Sequence, residues 1–323
     1  MTAPARPGRA LLVVGDANPD LILRGDVVPR FGQAEQLLDA ADLVLGGSAA
    51  IVACGAARLG VPTRLVAAVG ADTYGRLARE MLAARGVDIS DLRTAAEPTG
   101  LTVVLSGPAD RAILTFTGAI GSLEAEHVPL DGVGHLHVAS YFLQPRLAAG
   151  LPGLFARAHA AGVTTSLDTN WDPTGRWDGV RAALAHADVF LPNAAELAAV
   201  TGIADPAAAA ATLVSTGTTV VLKAGAAGAE AWWPGGGGCA VPALPVDAVD
   251  TTGAGDSFDA GFLAGYLAGA PVERCLAMGV VAGSLSTTAV GGTLAQPDAA
   301  ELDSALSRLP RAAGSPHPAG ALA

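Results

Sequence analysis

The stretch DTTGAGDSFDAGFLAGYLAG, residues 250–269, changes from a glycine-rich loop into a predicted helix, and it decides how the rest of the chain is interpreted. Gly253, Ala254 and Gly255 stand where the helix begins, and apolar residues continue it at helical spacing. Small residues let backbone N–H groups approach a ligand closely, and a helix N-terminus adds partial positive charge. The stretch therefore predicts an anion site suited to a phosphate.

Asp256 falls in the first turn of this predicted helix, beside the anion site. A carboxylate at a helix N-terminus stays ionised and can accept a proton from a hydroxyl group. A base next to an anion site is the arrangement that phosphoryl transfer to an alcohol requires. Taken alone, the segment has a second interpretation: an ordinary glycine-rich helix start with an aspartate that matches the helix dipole.

Outward from this segment, apolar runs alternate with helical patterns along most of the chain. Residues 10–14 (ALLVV) and 63–70 predict buried strands, and residues 46–60 predict a helix that starts and ends at glycines. In the second half, strands and helical patterns alternate as far as TVVLKAG, residues 219–225. Such alternation predicts an α/β fold in which helices cover both faces of a central, mostly parallel sheet.

Two stretches depart from the alternation. Residues from about 20 to 45 alternate loosely like exposed strands, and residues of about 98–118 predict a β-hairpin around a Gly-Pro-Ala-Asp turn. We expect the two to form a small separate sheet over the ligand end of the central sheet. Residues 311–323 are rich in Gly, Pro and Ala and predict a disordered tail, which leaves 1–310 as one domain.

The composition of the 323 residues excludes several function classes. With 19 Lys and Arg against 30 Asp and Glu, the net charge of −11 offers no basic face for nucleic acid. Three widely separated cysteines fit neither a disulfide framework nor a C-x-x-C metal motif. No stretch approaches the roughly 18 apolar residues that span a bilayer, and no signal-peptide core is found. We expect a cytoplasmic protein without a membrane partner.

Lys223 is the sole lysine of the sequence, and its context excludes two kinds of nucleotide site. A Walker A loop requires a lysine preceded by glycines at fixed spacing, and the strand lysine of protein kinases needs a different setting. The first strand runs into GDANPD, residues 15–20, and not into G-x-G-x-x-G. This difference disfavours a dinucleotide-binding oxidoreductase.

Four parts of the sequence together resemble the ribokinase-like (PfkB) carbohydrate kinases. GAGDSFDAGF (253–262) is similar to the C-terminal signature of that family, and GGSAAIVACGAARLG (46–60), followed by AVGADTYGR (68–76), is similar to its N-terminal signature. PNAAE (192–196) resembles the N-x-x-E motif of the family, and KAGAAGA (223–229) resembles its nucleotide-side loop. The order and spacing of these elements also agree, over nearly the whole chain.

The resemblance implies a three-layer α/β/α fold with a β-sheet lid. It further implies an ATP-dependent kinase that uses Mg²⁺ and phosphorylates a hydroxyl group of a small sugar or sugar derivative. Asp256 would be the catalytic base, and the N–H groups of residues 253–255 would form the anion hole. The residues implied for ATP are Asn193, Glu196 (which would hold Mg²⁺ through water), Lys223, Gly225 and Gly228. The residues implied for the acceptor are Asn18, Asp20, Gly46 and Gly47, and those for a monovalent cation such as K⁺ are Asp250 and Thr252.

The sequence also departs from the family at the acceptor site. Ile51 stands where the N-terminal signature has an asparagine that helps to bind the sugar. The stretch SLDTNWDPTGRW is similar to one in keto-deoxy-sugar-acid kinases, but Asp172 replaces the arginine that would hold a carboxylate. Both departures weigh against a literal ribokinase and against an acidic sugar. Tyr141 and Gln144, which follow the strand HLHVAS, are expected to line the acceptor pocket.

Several alternatives remain open from sequence. The N-x-x-E segment is also a helix capping box, and Lys223 could be a solvated residue at a strand end. A nucleoside kinase of the same fold would suit Ile51 and the aromatic pair Tyr141 and Phe142. The rivals from other classes are the oxidoreductase and a catalytically silent sugar sensor, and the intact Asp256 disfavours the sensor. The exposed edges of the lid strands also allow a homodimer through the lid.

Overall fold

The structure, a computed structural model, describes residues 10–33, 35–107 and 110–310, and the predicted tail at 311–323 lies outside them. Within these ranges an eight-stranded sheet lies between two layers of helices, and four other strands form a separate sheet. The predicted α/β class, the mostly parallel central sheet and the small second sheet are thereby confirmed.

The strands and helices of the described ranges are as follows. The strands are β1 (Ala10–Val14), β2 (Asn18–Arg24), β3 (Ala40–Gly46), β4 (Thr63–Val66), β5 (Ala68–Gly70), β6 (Arg93–Ala95), β7 (Leu101–Ser106), β8 (Arg111–Phe116), β9 (Val133–Val138), β10 (Thr164–Leu167), β11 (Val189–Phe190), β12 (Thr219–Lys223), β13 (Ala229–Trp233) and β14 (Gly237–Val241). The helices are α1 (Ser48–Arg58), α2 (Thr73–Ala84), α3 (Pro145–Ala160), α4 (Val180–Leu184), α5 (Ala194–Thr201), α6 (Pro206–Val214), α7 (Ala254–Leu267), α8 (Val272–Ser286) and α9 (Ala299–Leu306).

The central sheet has the strand order β14-β13-β12-β11-β10-β9-β1-β4. The strands from β12 to β4 in this order pair in parallel, whereas β13 and β14 add an antiparallel hairpin at one edge. Leu11 and Val13 of β1 belong to one buried cluster, and Leu12 and Val14 belong to another. Because successive strand residues point to opposite faces, the sheet is buried on both sides by helices.

The chain between residues 63 and 70 differs from the prediction of one strand. Residues Thr63–Val66 pair with β1 in the central sheet, whereas Ala68–Gly70 pair with β6 in a two-stranded sheet. The change of partner falls at Ala67, whose carbonyl accepts a hydrogen bond from the N–H of Arg93. Helix α6 was not predicted, although Asp205 caps it and Pro206 opens it, which is a common helix start.

The separate four-stranded sheet is the predicted lid, and its strand order is β3-β2-β7-β8. Strands β2 and β7 pair in parallel, and the other two pairings are antiparallel. The chain passes from β1 into β2 through residues 15–17, so β2 begins beside the carboxyl end of the central sheet. Strand β8 is at an edge and is exposed along its length. The homodimer through the lid stays a prediction.

Helices α5 and α6 are short, apolar and adjacent along the chain. No single helix of the described ranges is long and apolar enough to cross a membrane, and this pair meets the criterion of length and composition only when taken together. The two helices are bent by 59° at their junction. Leu197 and Val200 of α5 and Leu213 of α6 are buried in the protein core.

Glycines bring α7 and α8 close together. A Cβ atom added to Gly261 would lie 2.5 Å from the carbonyl oxygen of Met278 and 2.8 Å from the Cβ of Ala282. A Cβ atom on Gly279 would lie 2.9 Å from the ring of Phe258. The close approach of the two helices fixes the position of α7, whose first turn carries the predicted anion site and base.

Replacing Gly261 by alanine should therefore destabilise the protein by about 1–3 kcal/mol, because the added methyl group overpacks the contact between α7 and α8. Gly153 in α3 is the matched control, since no atom lies within 4 Å of a Cβ added there. Alanine at that position should be neutral or stabilising by about 0.5–1 kcal/mol. Urea unfolding followed by circular dichroism measures both changes, and equal effects of the two variants would contradict the packing argument.

Candidate active site

Two cavities meet at the start of α7. The larger, called the apolar cavity, has a volume of about 530 Å³ and lies between residues 223–228, residues 243–251 and helices α7 and α8. The smaller, called the polar cavity, has a volume of about 230 Å³ and lies under the lid. Gly253 and Asp256 line the polar cavity, and Ala254 and Gly255 line the apolar one. The first turn of α7 is thus the wall that the two cavities share.

Gly253 gives this turn its shape. It precedes α7 in the left-handed conformation, with φ at 70°, which favours glycine. A Cβ atom there would also lie 2.7 Å from the Cα of Gly292, so a side chain is excluded twice. The carbonyl oxygen of Gly253 accepts the N–H of Ser257 at 2.8 Å. The N–H groups of residues 254–256 lie in the first turn of α7 and have no acceptor within the helix. The N–H of Ala254 donates to the carbonyl group of Thr251 at 3.3 Å, and the anion site stays a prediction.

Asp256 is buried in this wall, and its Oδ1 accepts a hydrogen bond from the Oγ of Ser48 at 2.5 Å. Burial, and then the charge of Asp168, raise the pKa of Asp256 to about 7. A carboxyl group that titrates near neutral pH in a polar cavity is suited to accept a proton. Ser48 was not among the predicted site residues, although it directly follows the glycine pair of the N-terminal signature.

Beneath the wall, Lys223 forms a buried ion cluster with two aspartates. Its Nζ lies 2.6 Å from Oδ2 of Asp168 and 3.3 Å from both carboxyl oxygens of Asp259. Burial would lower the pKa of Lys223, but the charges of Asp168 and Asp259 raise it above its usual value. The Lys223 side chain is 12% exposed, so the interpretation as a solvated strand-end residue is wrong. Lys223 lines the apolar cavity with its ammonium group already paired, and its contact with ATP stays a prediction.

Asn18 and Asp20 line the polar cavity, as the acceptor assignment expects. The Nδ2 of Asn18 donates to Oδ1 of Asp20 at 2.8 Å and to Oγ1 of Thr102 at 3.2 Å. Burial, and then the charge of Asp16, raise the pKa of Asp20 to about 7. Asp16 lines the cavity too, and its Oδ1 accepts the N–H of Ala49 at 3.0 Å. Sequence reasoning missed Asp16 as a site residue, although it stands at the end of a predicted strand.

The two glycines of the acceptor assignment have different places. Gly47 lines the polar cavity with φ at 85°. Gly46 does not line it, but a Cβ atom there would lie 1.9 Å from Oδ1 of Asp20. Glycine at position 46 therefore leaves the room that the Asp20 carboxyl group occupies.

Tyr141 and Gln144 lie outside the lining of the polar cavity, and Ser140 and Leu143 line it in their place. Gln144 is fully buried, and its Nε2 donates to the carbonyl groups of Ala139 and Ser140 at 2.8 and 3.0 Å. The ring of Tyr141 packs edge-on against Phe142, with centroids 4.9 Å apart. A short 3₁₀-helix at residues 141–143 turns these side chains into the core. Asn170, which sequence reasoning also missed, lines the cavity.

Asn193 and Glu196 form a capping box at the start of α5, as the alternative interpretation predicts. Oδ1 of Asn193 accepts the N–H of Glu196 at 2.9 Å, and Oε2 of Glu196 accepts the N–H of Asn193 at 2.8 Å. Burial, and then the charge of Asp168, raise the pKa of Glu196 to about 7. The described residues include no group of three or more His, Cys, Asp or Glu arranged to hold a metal ion. The Mg²⁺ role of Glu196 stays a prediction.

Asp250 shapes the loop that leads into α7. Its Oδ1 accepts the N–H and the hydroxyl group of Thr252 at 2.9 and 2.7 Å, and its Oδ2 accepts the N–H of Gly291 at 2.9 Å. Although burial opposes it, these bonds from Gly291 and Thr252 lower the pKa of Asp250. Thr252 lines the polar cavity, and Asp250 lies behind it. The monovalent cation at this loop stays a prediction.

The apolar cavity is lined by small and apolar residues. Gly225 and Gly228 are among them, and a Cβ atom on Gly228 would lie 2.0 Å from the carbonyl oxygen of Val241. Their contact with ATP stays a prediction. Leu244 and Val280 give the cavity apolar walls suited to a planar base. At its other end Ala254 and Gly255 present the helix N-terminus, where phosphate groups are favoured.

Known proteins resemble this chain over most of its length. Residues 9–299 match the sequence model of a family that is described as "pfkB family carbohydrate kinase". A fructokinase of Klebsiella pneumoniae is 36% identical over 308 residues, which cover 88% of this chain and 95% of that protein. An ATP-dependent ribose-1-phosphate kinase of Halopiger xanaduensis is 34% identical over 293 residues, covering 85% and 91%. The structure of an Arabidopsis thaliana ribokinase complexed with ribose and ATP is 26% identical, with a TM-score of 0.81 and coverage of 92% and 98%.

Removal of the buried ammonium group tests the ion cluster. Lys223→Met should lower the free energy of unfolding by about 3–5 kcal/mol at neutral pH, because the Asp168 carboxylate then lies buried without its cation. The loss should shrink as the pH falls, since Asp168, whose pKa Lys223 lowers against the effect of burial, then takes up a proton. Urea unfolding at two pH values measures both effects. Arg274→Met, which breaks an exposed pair with Asp303, is the control and should change stability far less. A similar loss in both variants would contradict the prediction.

Proposed function

The chain belongs to the pfkB family of carbohydrate kinases and is an ATP-dependent kinase, and on that premise we propose that it phosphorylates a hydroxyl group of a neutral sugar or sugar derivative with Asp256 as the general base. One observation carries the proposal. Asp256 lies in the wall between the apolar cavity, which we assign to the nucleotide, and the polar cavity, which we assign to the acceptor. A carboxyl group in that wall can reach a hydroxyl group that faces the phosphate end of the nucleotide.

In the proposed reaction the acceptor hydroxyl group loses its proton to Asp256 as its oxygen attacks the γ-phosphorus of ATP. The new oxygen–phosphorus bond forms while the bond from phosphorus to the β-phosphate oxygen breaks, and ADP leaves. The N–H groups of Gly253, Ala254 and Gly255 stabilise the negative charge of the phosphoryl group in transit. The hydrogen bond from Ser48 orients the Asp256 carboxyl group.

We assign ATP to the apolar cavity and Mg²⁺ to the start of α5. Asn193 and Glu196 would hold the ion, with Glu196 acting through water. Mg²⁺ supplies charge neutralisation on the phosphate oxygens of ATP, and such ions are held partly by the phosphates themselves. The burial of Glu196 beside the charge of Asp168, which raises its pKa to about 7, supports the assignment, because a cation nearby would relieve this repulsion.

The charges of the polar cavity favour a neutral acceptor. The carboxyl groups of Asp16, Asp20 and Asp256 line it, against the guanidinium group of Arg111. An acidic sugar would add negative charge to this set. Ile51 contributes an apolar wall, and this wall supports a nucleoside as the second candidate acceptor.

An acceptor panel tests the proposal. ADP release from ATP and Mg²⁺ would be measured with pentoses, hexoses, keto-deoxy acids, ribose 1-phosphate and nucleosides. We expect a neutral sugar to give the strongest turnover, and Asp256→Asn to lower kcat by at least about 100-fold because the proton acceptor is lost. Asp303→Asn, which changes an exposed aspartate, is the matched control. Turnover of Asp256→Asn near that of the wild type would refute Asp256 as base, and a preference for acidic acceptors would refute the neutral class.

The pKa of Asp256 predicts a pH profile. Since the protonated acid cannot accept a proton, kcat/KM should rise with pH through an apparent pKa of about 7 and then level off. The hydrogen bond from Ser48 lowers the pKa of Asp256, so Ser48→Ala should move the rising limb to higher pH. Initial rates with the best acceptor between pH 5 and 9 measure this shift. A limb that stays in place or moves to lower pH in Ser48→Ala would contradict the assignment.

A further inference from the structure

We propose that Arg111 of the lid is a catalytic residue that places a positive charge on the transferred phosphoryl group once an acceptor fills the polar cavity. The inference rests on the proposed function and adds a residue to it. Arg111 opens strand β8, far in sequence from the loop and helix that carry the anion site. Its position, the local balance of charge and its spare donors each support this role.

The position of Arg111 joins the lid to the entrance of α7. Its Nη1 donates to Oγ1 of Thr252 at 3.0 Å and to Oγ1 of Thr251 at 3.3 Å, and lies 3.7 Å from Oδ1 of Asp250. Thr251 lines the apolar cavity, whereas Thr252 and Arg111 line the polar cavity. The guanidinium group therefore contacts the loop that leads into Gly253, at the boundary that the phosphoryl group has to cross.

A cation at this boundary would balance the negative charge of the phosphoryl group and of the nearby carboxyl groups. Phosphoryl transfer spreads negative charge over the equatorial oxygens of the transferred group. The polar cavity already carries the carboxyl groups of Asp16, Asp20 and Asp256. In the described ranges, the basic side chains that line the two cavities are those of Lys223 and Arg111. Lys223 is already paired with two buried aspartates. Arg111 is the cation that remains for the reaction.

Arg111 also has donors to spare. A guanidinium group has five N–H donors, and the side-chain contacts of Arg111 with the described chain all involve Nη1. Two of these contacts are to neutral hydroxyl groups, and the ion pair with Asp250 is long. The side chain is 37% exposed, so it can exchange the hydroxyl groups for a bidentate contact with phosphoryl oxygens.

The lid sheet links this cation to the acceptor. Strand β8 pairs with β7, which carries Thr102, and β7 pairs with β2, which carries Asn18 and Asp20. These three residues line the polar cavity. An acceptor that binds them orders the same sheet that positions Arg111, so the cation is in place when the acceptor hydroxyl group is present. This arrangement favours transfer to the acceptor over transfer to water.

Kinetics of lid variants test the inference. Arg111→Gln should lower kcat by about 10²–10³-fold, below the range of fully enclosed arginine fingers because Arg111 is partly exposed. The dissociation constant of ATP should change little, since the contact forms in the transition state. Arg111→Lys should keep part of the activity, and added guanidinium ion should partly restore Arg111→Gln. Arg24→Gln is the matched control, because Arg24 lies on β2 of the same sheet and pairs with Asp42 at 2.7 Å. A kcat of Arg111→Gln equal to that of Arg24→Gln would overturn the inference.

A binding measurement gives a second test that does not depend on the identity of the acceptor. Aluminium fluoride with ADP and Mg²⁺ mimics the phosphoryl group in transit, and calorimetry compares its binding with that of ADP and Mg²⁺ alone. We expect the wild type and Arg24→Gln to bind ADP more tightly with aluminium fluoride, and Arg111→Gln to lose that gain while binding ADP alone as before. The same gain in Arg111→Gln and the wild type would overturn the inference. Loss of turnover in Asp256→Asn alone, with Arg111→Gln intact, would leave the proposed function standing without Arg111.

Discussion

The buried ammonium group of Lys223 holds together the three parts of the chain that meet at the site. Asp168 directly follows β10, Lys223 ends β12, and Asp259 lies in α7, so two ion pairs fix the helix against the carboxyl ends of two parallel strands. Buried charges are tolerated only when they are paired with good geometry, since each lost partner leaves an uncompensated ion. The position of α7 thus depends on this cluster as well as on the glycine contacts with α8. Asp256 lies one helical turn before Asp259, and the cluster places it in the wall between the cavities.

The same cluster sets the electrostatics of the wall. Asp168 and Asp259 are paired with one ammonium group, whose charge also acts on the nearby Asp256, so the site has an excess of carboxyl groups even before a substrate binds. Burial and this excess raise the pKa values of both Asp256 and Glu196 to about 7. A triphosphate adds further negative charge, which the first turn of α7, Mg²⁺ and a cation from the lid would balance. The raised pKa that makes Asp256 a good proton acceptor and the need for a cation from outside the core therefore have one cause.

The sequence predicts the parts of this site that are local. The start of α7, the lid strands and the helix at 46–60 follow from glycine placement and hydrophobic periodicity, both of which act over a few residues. Ser48 and Asp256 are 208 positions apart, and Arg111 and Thr252 are 141 apart, so their contacts follow from the packing of α1 and the lid against α7. Gln144 is a residue for which the local pattern predicts the wrong place. Its place after a strand end predicts a pocket wall, but its amide N–H groups donate to the backbone carbonyl groups of Ala139 and Ser140 in the core.

Ile51 shows how the acceptor site and the anion site are joined through packing. It is buried in α1 and lines the polar cavity, and a Cβ atom on Gly253 or Gly292 would lie 3.2 or 2.6 Å from its Cδ1. The side chain therefore fills the space between the polar cavity and the glycine that opens α7. A hydroxyl group facing Ile51 would be buried without a partner, at a cost of about 1–3 kcal/mol. On the proposed function, we therefore expect the acceptor to present a C–H face on this side and its hydroxyl groups toward Asp16, Asn18 and Asp20. Ile51 thereby gives the polar cavity an apolar wall next to the glycine that opens α7.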